Sequence, residues 1–263
     1  MALGAGLWVE DFWWLLHGDD LGMLQTILKQ IYPDQCPACD ELVQNTHALC
    51  PTCWRDSPFI QAPFCNHCGV QLPGVEEDGA PDLVCDDCMA ELPTWDRGRA
   101  AFMYDGAARR MVLGLKHGDR HDLVPVLAGW AAEAVDALVT DDTVFVPVPL
   151  HFFRLYKRRY NQSALISSEL AKITGRRACL NALKRKRFTP SLDGKTCAER
   201  QAILSGAIKP NPRKNMSIAH KDVILVDDVM TTGATLTSCT SAIRAMDARR
   251  VDVLTLARVG KAP

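Results

Sequence analysis

The sequence has no long apolar run, and no uncharged stretch approaches the ~20 residues that a helix needs to cross a bilayer. It also has no excess of one charge, because 30 Lys and Arg residues stand against 31 Asp and Glu residues. The first nine residues lack the basic start of a secretory signal and lead into Glu10 and Asp11. These absences predict a soluble, cytoplasmic chain without a transmembrane segment, and the overall charge predicts no particular partner.

The chain has 263 residues, of which 48% are hydrophobic and 23% charged, as in globular proteins of one large or two smaller domains. Loop-forming Pro and Gly residues between positions 71 and 97 predict a domain boundary near residue 95. We therefore expect an N-terminal lead over 1–35, a cysteine module over 36–92 and a larger domain over 97–263. The lead carries a predicted helix from about Leu21 to Tyr32, which packs on the protein or docks a partner or a membrane.

Eight of the 11 cysteines fall into four C-x-x-C pairs. In a reducing compartment, this pattern favours metal ligation over disulfides or repeated redox motifs. Two pairs complete a tetrahedral Cys₄ zinc site, which has no open position and is therefore structural. The simplest pairing is sequential and an interleaved pairing stays open, and one or two zinc ions are expected. The candidate ligands are Cys36, Cys39, Cys50, Cys53, Cys65, Cys68, Cys85 and Cys88.

One stretch combines a strand, two acids and a small hydroxyl-rich loop. The apolar run 223–226 predicts a buried strand of a parallel sheet, and Asp227 and Asp228 follow it. The next residues open a predicted helix, whose N-terminal N–H groups favour an anion such as phosphate. Carboxylates repel phosphate but accept hydrogen bonds from sugar hydroxyls, so the pattern predicts a site for a ribose 5-phosphate. The loop residues are Thr231, Thr232, Gly233, Ala234 and Thr235.

Strand and helix patterns alternate from Arg97 onward, which predicts a parallel α/β sheet flanked by helices with ligands at the carboxyl ends of its strands. The predicted strands are 100–104, 143–149, 178–183, 223–226 and 251–257. The predicted helices are 107–116, 123–138, 161–173 and one that opens after residue 231 and continues to about residue 246.

The middle of the chain is strongly basic. Between His151 and Phe188 there are 11 Lys and Arg residues, and Glu169 is the only acid. Such a region attracts pyrophosphate or the phosphates of a nucleic acid, although a solvated cationic surface is the alternative.

The stretch 223–235 resembles the fingerprint of the type I phosphoribosyltransferases, a strand, two acids and T-T-G-[AS]-T, at every position. The resemblance implies that Asp227 and Asp228, the candidate catalytic residues, hold the ribose hydroxyls of phosphoribosyl pyrophosphate. It implies that residues 231–235 cradle the 5-phosphate, and that Mg²⁺ binds together with this ligand.

The same analogy implies four further substrate-binding positions. Val148 and Pro149 are expected at the pyrophosphate loop, and Lys116 and Arg154 are expected near the leaving pyrophosphate. The alternative for the two cations is an ordinary place on the surface.

The segments Val146-Pro-Val-Pro-Leu-His151 and Arg158-Arg-Tyr-Asn-Gln162, together with the cysteine module, resemble the ComF family of competence-associated proteins. The resemblance implies a type I phosphoribosyltransferase fold preceded by a double zinc ribbon. It also implies a cytosolic role in the uptake of transforming DNA or the use of external DNA. The implied partners are phosphoribosyl pyrophosphate, single-stranded DNA and DNA-uptake helicase or channel proteins.

Three positions depart from the family's pattern. Arg159 stands where glycine is usual, and Leu192 and Ile203 replace a glutamine and an asparagine in the segment that forms the catalytic hood. Catalysis is therefore left open. A metabolic transferase acting on a free base and a non-catalytic ligand sensor are the alternative functions.

Overall fold

The computed structural model describes residues 33–74, 83–151, 155–156, 159–185 and 206–260. The chain divides into two compact units, Met1–Pro51 and Thr52–Pro263. The helix predicted from Leu21 to Tyr32 lies outside the described residues. Within the described part of the chain, no helix combines the length and apolar character needed to cross a membrane.

The second unit alternates strands with helices, as the sequence pattern predicts. The strands are β1 Gly98–Met103, β2 Thr143–Pro147, β3 Arg177–Ala178, β4 Leu183–Arg185, β5 Ile208–Pro210, β6 Asp222–Met230 and β7 Arg250–Arg258. The described α-helices are α1 Pro51–Arg55, α2 Asp86–Ala90, α3 Gly106–His117, α4 Leu123–Val135, α5 Gln162–Thr174, α6 Asn215–Ile218 and α7 Ala234–Arg244. Short 3₁₀ turns follow α4 and precede α6.

Five strands form one sheet in the order β1-β7-β6-β2-β3, and each neighbouring pair is parallel. The predicted parallel α/β sheet flanked by helices is therefore confirmed. The central strands β6 and β7 are buried along most of their length, which explains why they read as nearly continuous apolar runs. The carboxyl ends of β2 and β6 lie side by side, with Pro147 opposite Val226.

The β1 edge of the sheet is covered by the segment 58–66. The Ile60 N–H donates to the Ala101 carbonyl at 3.0 Å, the Met103 N–H to Pro58 at 2.9 Å and the Gly98 N–H to Asn66 at 2.9 Å. Several cysteines of the second unit are buried in the same core as the sheet, and this core includes Met230 and Leu236. The described residues of the cysteine region, 58–74 and 83–95, are thus packed on the sheet.

Two predicted strands differ from the observed ones. The strand predicted over 223–226 continues to Met230, because β7 keeps pairing with it as far as Arg258. In place of the strand predicted over 178–183 the structure has the two-residue β3, and the chain continues into β4, which pairs antiparallel with β5. The Val148 N–H points to β6 and donates to Val226 at 2.9 Å, so alternation turns Pro147 toward β3. Proline has no N–H to continue that ladder.

Candidate functional site

The acid pair lies within β6 near its carboxyl end. The Asp228 N–H donates to Asp227 Oδ1 at 2.9 Å, and the Ser163 hydroxyl, from the first turn of α5, lies 3.3 Å from the same oxygen. Burial, and then the neighbouring Asp228 carboxylate, raise the pKa of Asp227 to about 7. The two neighbouring carboxyl groups therefore lie near the carboxyl end of β6, and Asp227 is partly protonated near neutral pH.

Lys116 reaches the acid pair from the last turn of α3. Its Nζ lies 3.0 Å from Asp228 Oδ2 and 3.2 Å from Oδ1. Both side chains are mostly buried, at 24% and 14% exposure. Lys116 is therefore a mostly buried cation paired with Asp228, whose oxygen atoms the sequence interpretation assigns to a sugar.

The segment 160–162 holds two parts of the site together. The Tyr160 hydroxyl donates to the Leu115 carbonyl at 2.6 Å, and Gln162 Nε2 donates to the Lys116 carbonyl at 3.4 Å. Asn161 Nδ2 donates to the Val148 carbonyl at 3.0 Å. These three side chains fix the end of α3 beside the strand end of β2, a role that the sequence motif alone does not reveal.

Arg159, immediately before this segment, has a φ of 64°, in the left-handed region that favours glycine. This chain therefore holds, with an arginine, a backbone conformation that glycine adopts more readily.

The loop 231–235 joins β6 to α7. Arg258 Nη1 donates to the Thr231 carbonyl at 2.6 Å, while Thr231 and Thr232 themselves are exposed. The loop and the preceding strand end line a small cavity of about 30 Å³. The first N–H groups of an α-helix lack acceptors within the helix, so α7 begins where an anion would be stabilised.

Gly233 has a left-handed φ of 76° and caps α7. A Cβ at this position would lie 2.6 Å from Cη2 of Trp95. The absence of a side chain at Gly233 therefore leaves room for a tryptophan ring. Trp95 is a residue of the site that sequence reasoning missed, because no local pattern connects it to a loop 138 positions later.

Three other predicted substrate-binding residues are Val148, Pro149 and Arg154. Val148 is buried, and its backbone is bonded on both sides, to Val226 and to Asn161. Pro149 is also buried, so both residues shape the loop through the backbone rather than through exposed side chains. Arg154 lies outside the described residues.

The paired cysteines form two groups in the sequential arrangement. Within each group the four Sγ atoms all lie within 4.8 Å of one another. Four closely spaced thiols are the donor set of a tetrahedral structural zinc site, so both groups fit zinc and leave no position open for catalysis. The first group is Cys36, Cys39, Cys50 and Cys53, and the second group is Cys65, Cys68, Cys85 and Cys88.

Comparison with known families agrees with this geometry. The chain belongs to the phosphoribosyl transferase domain family, which matches residues 128–262, about half of the sequence. The double zinc ribbon domain family matches residues 27–89. The two domains in this order, and the relatives below, make the chain ComF-like and confirm the resemblance seen in its motifs.

The chain is 29% identical to Competence protein F of Haemophilus influenzae, over 81% of this chain and 91% of that protein. It is 27% identical to the DNA utilization protein YhgH of Salmonella typhi, over 86% of this chain and 97% of that protein. A solved hypoxanthine phosphoribosyltransferase from Staphylococcus aureus matches 52% of this chain and 64% of its own, with 16% identity and a TM-score of 0.34. A structural match with so low a TM-score supports no conclusion about this chain.

Proposed function

We propose that the chain binds phosphoribosyl pyrophosphate and acts in DNA uptake or in the use of external DNA. The observation that carries this proposal is the position of Asp227 and Asp228 directly before the loop 231–235 at the start of α7. A ribose 5-phosphate has a diol that donates hydrogen bonds and a phosphate that accepts them. The acid pair and the loop offer the complementary groups in the same order.

The 5-phosphate is assigned to the loop 231–235. The exposed hydroxyls of Thr231 and Thr232 and the N–H groups at the start of α7 supply donors, and the helix dipole favours a negative charge there. Arg258 holds the Thr231 carbonyl, so the loop is already anchored before a ligand arrives. Preorganised donors reduce the cost of ordering on binding.

The ribose diol is assigned to Asp227 and Asp228. Lys116 contacts both oxygens of Asp228, so sugar hydroxyls bound there would share or replace that contact. The released ammonium group is then available for the pyrophosphate of the ligand. Mg²⁺ bound with the ligand would supply further charge neutralisation to the pyrophosphate.

The role in DNA handling is supported by the names of the two relatives and by one charged surface. We call this surface the cationic edge and define it as Arg177, Lys184, Lys209 and Lys214. Lys184 and Lys209 lie directly opposite each other across β4 and β5, an arrangement that costs free energy unless an anion is bound. Arg177 and Lys214 line a groove of about 310 Å³.

The cationic edge lacks nearby carboxylates along the chain. The described segments 176–185 and 206–214 contain no Asp or Glu. A groove of this charge suits the phosphate backbone of a single-stranded nucleic acid, whose binding is dominated by such contacts.

The diol assignment is tested by comparing ribose 5-phosphate with 2-deoxyribose 5-phosphate as competitors of phosphoribosyl pyrophosphate. Loss of one hydroxyl that donates to a carboxylate should weaken competition by roughly 1–3 kcal/mol. Asp228→Asn should weaken binding of phosphoribosyl pyrophosphate by a similar amount and reduce the preference for the ribose compound. The control is Asp142→Asn, which removes a carboxylate paired with Lys221 before the start of β2.

Equal competition by both sugars, or an unchanged affinity of the Asp228 variant, would show that the acid pair does not hold the diol. Pyrophosphate release on addition of a free base would favour a metabolic transferase. Tight binding without turnover, with or without bases and oligonucleotides, would favour a ligand sensor.

A further inference from the structure

Trp95 lies between the second cysteine group and the loop 231–235. It is 6% exposed, and its indole Nε1–H donates to the His67 carbonyl oxygen at 2.6 Å. The other end of the ring faces Gly233, where a Cβ would meet Cη2 at 2.6 Å and Cζ3 at 3.4 Å. The ring therefore fills the space that a side chain on the loop would need.

His67 stands inside the Cys65–Cys68 turn, so its carbonyl belongs to the backbone that presents two of the four thiols. The same carbonyl is packed against β1, since a Cβ on Gly98 would lie 2.3 Å from it. His67 Nδ1 lies 3.1 Å from the Asp96 carbonyl oxygen. The turn is thus fixed by contacts on both sides of Trp95.

The neighbours of Trp95 hold the other end of α7. Arg244, in the last turn of that helix, donates from Nε to the Thr94 carbonyl at 3.2 Å and from Nη2 to Asp96 Oδ1 at 3.0 Å. Asp96 Oδ2 in turn accepts the Val251 N–H at 2.8 Å. Residues 94–96 therefore contact both ends of the helix whose N-terminus forms the candidate phosphate site.

We propose that Trp95 is a positioning residue through which the conformation of the loop 231–235 depends on the metal bound by the second cysteine group. A bound zinc ion orders the Cys65–Cys68 turn, the turn holds the His67 carbonyl, and the carbonyl holds the indole against Gly233. Loss of the metal by chelation releases this chain of contacts and loosens the loop. The inference rests on the proposed function for the identity of the ligand, but the contacts themselves do not.

The physical basis is that packed groups have few alternative arrangements, so a shift at the turn must be taken up by the ring and the loop. Folding of a cysteine module and binding of its metal are coupled, so an empty group does not hold the turn in place. Couplings between sites in proteins are typically about 5- to 150-fold in affinity, so we expect at least a fivefold weaker affinity for phosphoribosyl pyrophosphate without the metal.

The experiment uses the full zinc-loaded chain labelled with 5-fluorotryptophan. The fluorine resonances of Trp95 and Trp130 are assigned with Trp95→Phe and Trp130→Phe, and Trp130 is the matched control because it packs against Phe59 and Phe102 instead. We expect the Trp95 resonance to shift on zinc removal and again on addition of phosphoribosyl pyrophosphate, while the Trp130 resonance changes less. Hydrogen exchange at residues 231–237 should increase when the metal is removed.

Variants separate this role from general stability. Trp95→Phe keeps all eight ligand cysteines and should raise the dissociation constant at least fivefold, and Trp130→Phe should leave it unchanged. Cys65→Ser should lose one zinc ion and show the same loss of affinity for phosphoribosyl pyrophosphate. Cys36→Ser should lose one zinc ion and keep that affinity. If Cys65→Ser fails to fold, Trp95→Phe, which keeps all eight ligand cysteines, still carries the comparison against Cys36→Ser.

A Trp95 resonance and loop exchange rates that do not respond to zinc removal would overturn the proposal, as would equal effects of the Cys36 and Cys65 variants on affinity. These ligand-free measurements are distinct from a failure of the proposed function. In that case the wild-type chain would not bind phosphoribosyl pyrophosphate at all, while the metal-dependent signals would remain.

Discussion

The two edges of the five-stranded sheet are finished in different ways. At the β1 edge, backbone groups pair with the segment 58–66, and Arg97 beside the first residue of the strand forms an ion pair with buried Asp252 at 3.1 Å. At the β3 edge, the strand is two residues long and the cationic edge follows it, with two lysines face to face. The first edge pairs its backbone groups within the chain, whereas the four cations of the second form no ion pair with another residue that the structure describes.

We therefore expect the two edges to have different roles. The covered β1 edge stabilises the fold and positions the loop 231–235, so a change there should lower the free energy of unfolding. The cationic edge contributes little to folding, and a change there should affect the binding of an anionic partner.

The largest expected effect is at the covered edge. Asp252 is 1% exposed and accepts hydrogen bonds from Arg97 and Arg250. Asp252→Asn should lower the free energy of unfolding by about 3 kcal/mol, because the pair loses its buried charge. The control is Asp141→Asn, which removes an exposed partner of Arg176 and should cost less than about 1 kcal/mol. Equal midpoints of urea unfolding for the two variants would remove the contrast between the edges.

Asp227 lies between the edges, on the central strand. Its folded pKa of about 7 is above its usual value, so the folded protein keeps a proton that the unfolded chain releases. Stability from this group therefore falls as pH rises from about 4 to about 7, by at most about tenfold in the unfolding constant per pH unit. As pH rises through this range, the urea midpoint of Asp227→Asn should increasingly exceed that of the wild-type chain, and above about pH 7 the difference should stay constant.

The contribution of Asp142 to stability should have the opposite dependence on pH. Lys221 beside it lowers the pKa of its carboxyl group, so its contribution is present at neutral pH and is lost as pH falls below the usual range of aspartate. The deficit of Asp142→Asn should thus shrink in acid, whereas the advantage of Asp227→Asn should shrink there for the contrary reason. Urea unfolding of both variants at several pH values tests this, and an advantage of Asp227→Asn that grew as pH fell would contradict the assignment of Asp227.

At the cationic edge we expect a loss of binding without a loss of folding. Lys209→Gln should weaken binding of a single-stranded oligonucleotide about 3- to 10-fold and reduce the slope of log affinity against log salt by about 1. Its free energy of unfolding should change by less than about 0.5 kcal/mol, since the facing Lys184 loses a like charge. Lys172→Gln, on the exposed side of α5, is the control. Equal binding by both variants would place the nucleic acid elsewhere.

The smallest effect is expected at Arg159. Its φ of 64° is unfavourable for any residue with a side chain, so Arg159→Gly should raise the free energy of unfolding by about 1 kcal/mol. The same change at Arg109, inside α3, should lower it by about 1 kcal/mol. Thermal unfolding of the two variants checks the pair, and a destabilised Arg159 variant would mean that contacts of its side chain outweigh the backbone preference.

The sequence was sufficient for the features that depend on local pattern. The strands β6 and β7, the helix α7 and the adjacency of the acid pair to the loop follow from residues close together in the chain. The sheet could be predicted as parallel because strands and helices alternate. The continuation of β6 to Met230 could not be predicted from the sequence, because it depends on pairing with β7.

Contacts over long separations were predictable only in part. The pair Lys116–Asp228 spans 112 residues, and the family resemblance placed Lys116 near the ligand without indicating its partner. The contact of Trp95 with Gly233 depends on how the second cysteine group packs on the sheet, and no residue pattern encodes that packing. The shortness of β3 follows from Pro147, whose effect requires knowing which neighbour its missing N–H would face.

The most direct test is a calorimetric titration of the zinc-loaded chain with phosphoribosyl pyrophosphate and Mg²⁺, with and without a single-stranded oligonucleotide. We expect saturable binding of one ligand per chain, weakened by Asp228→Asn and altered by the oligonucleotide. An absence of binding heat, confirmed by an absence of competition from ribose 5-phosphate, would contradict the assignment of the acid pair and the loop to this ligand.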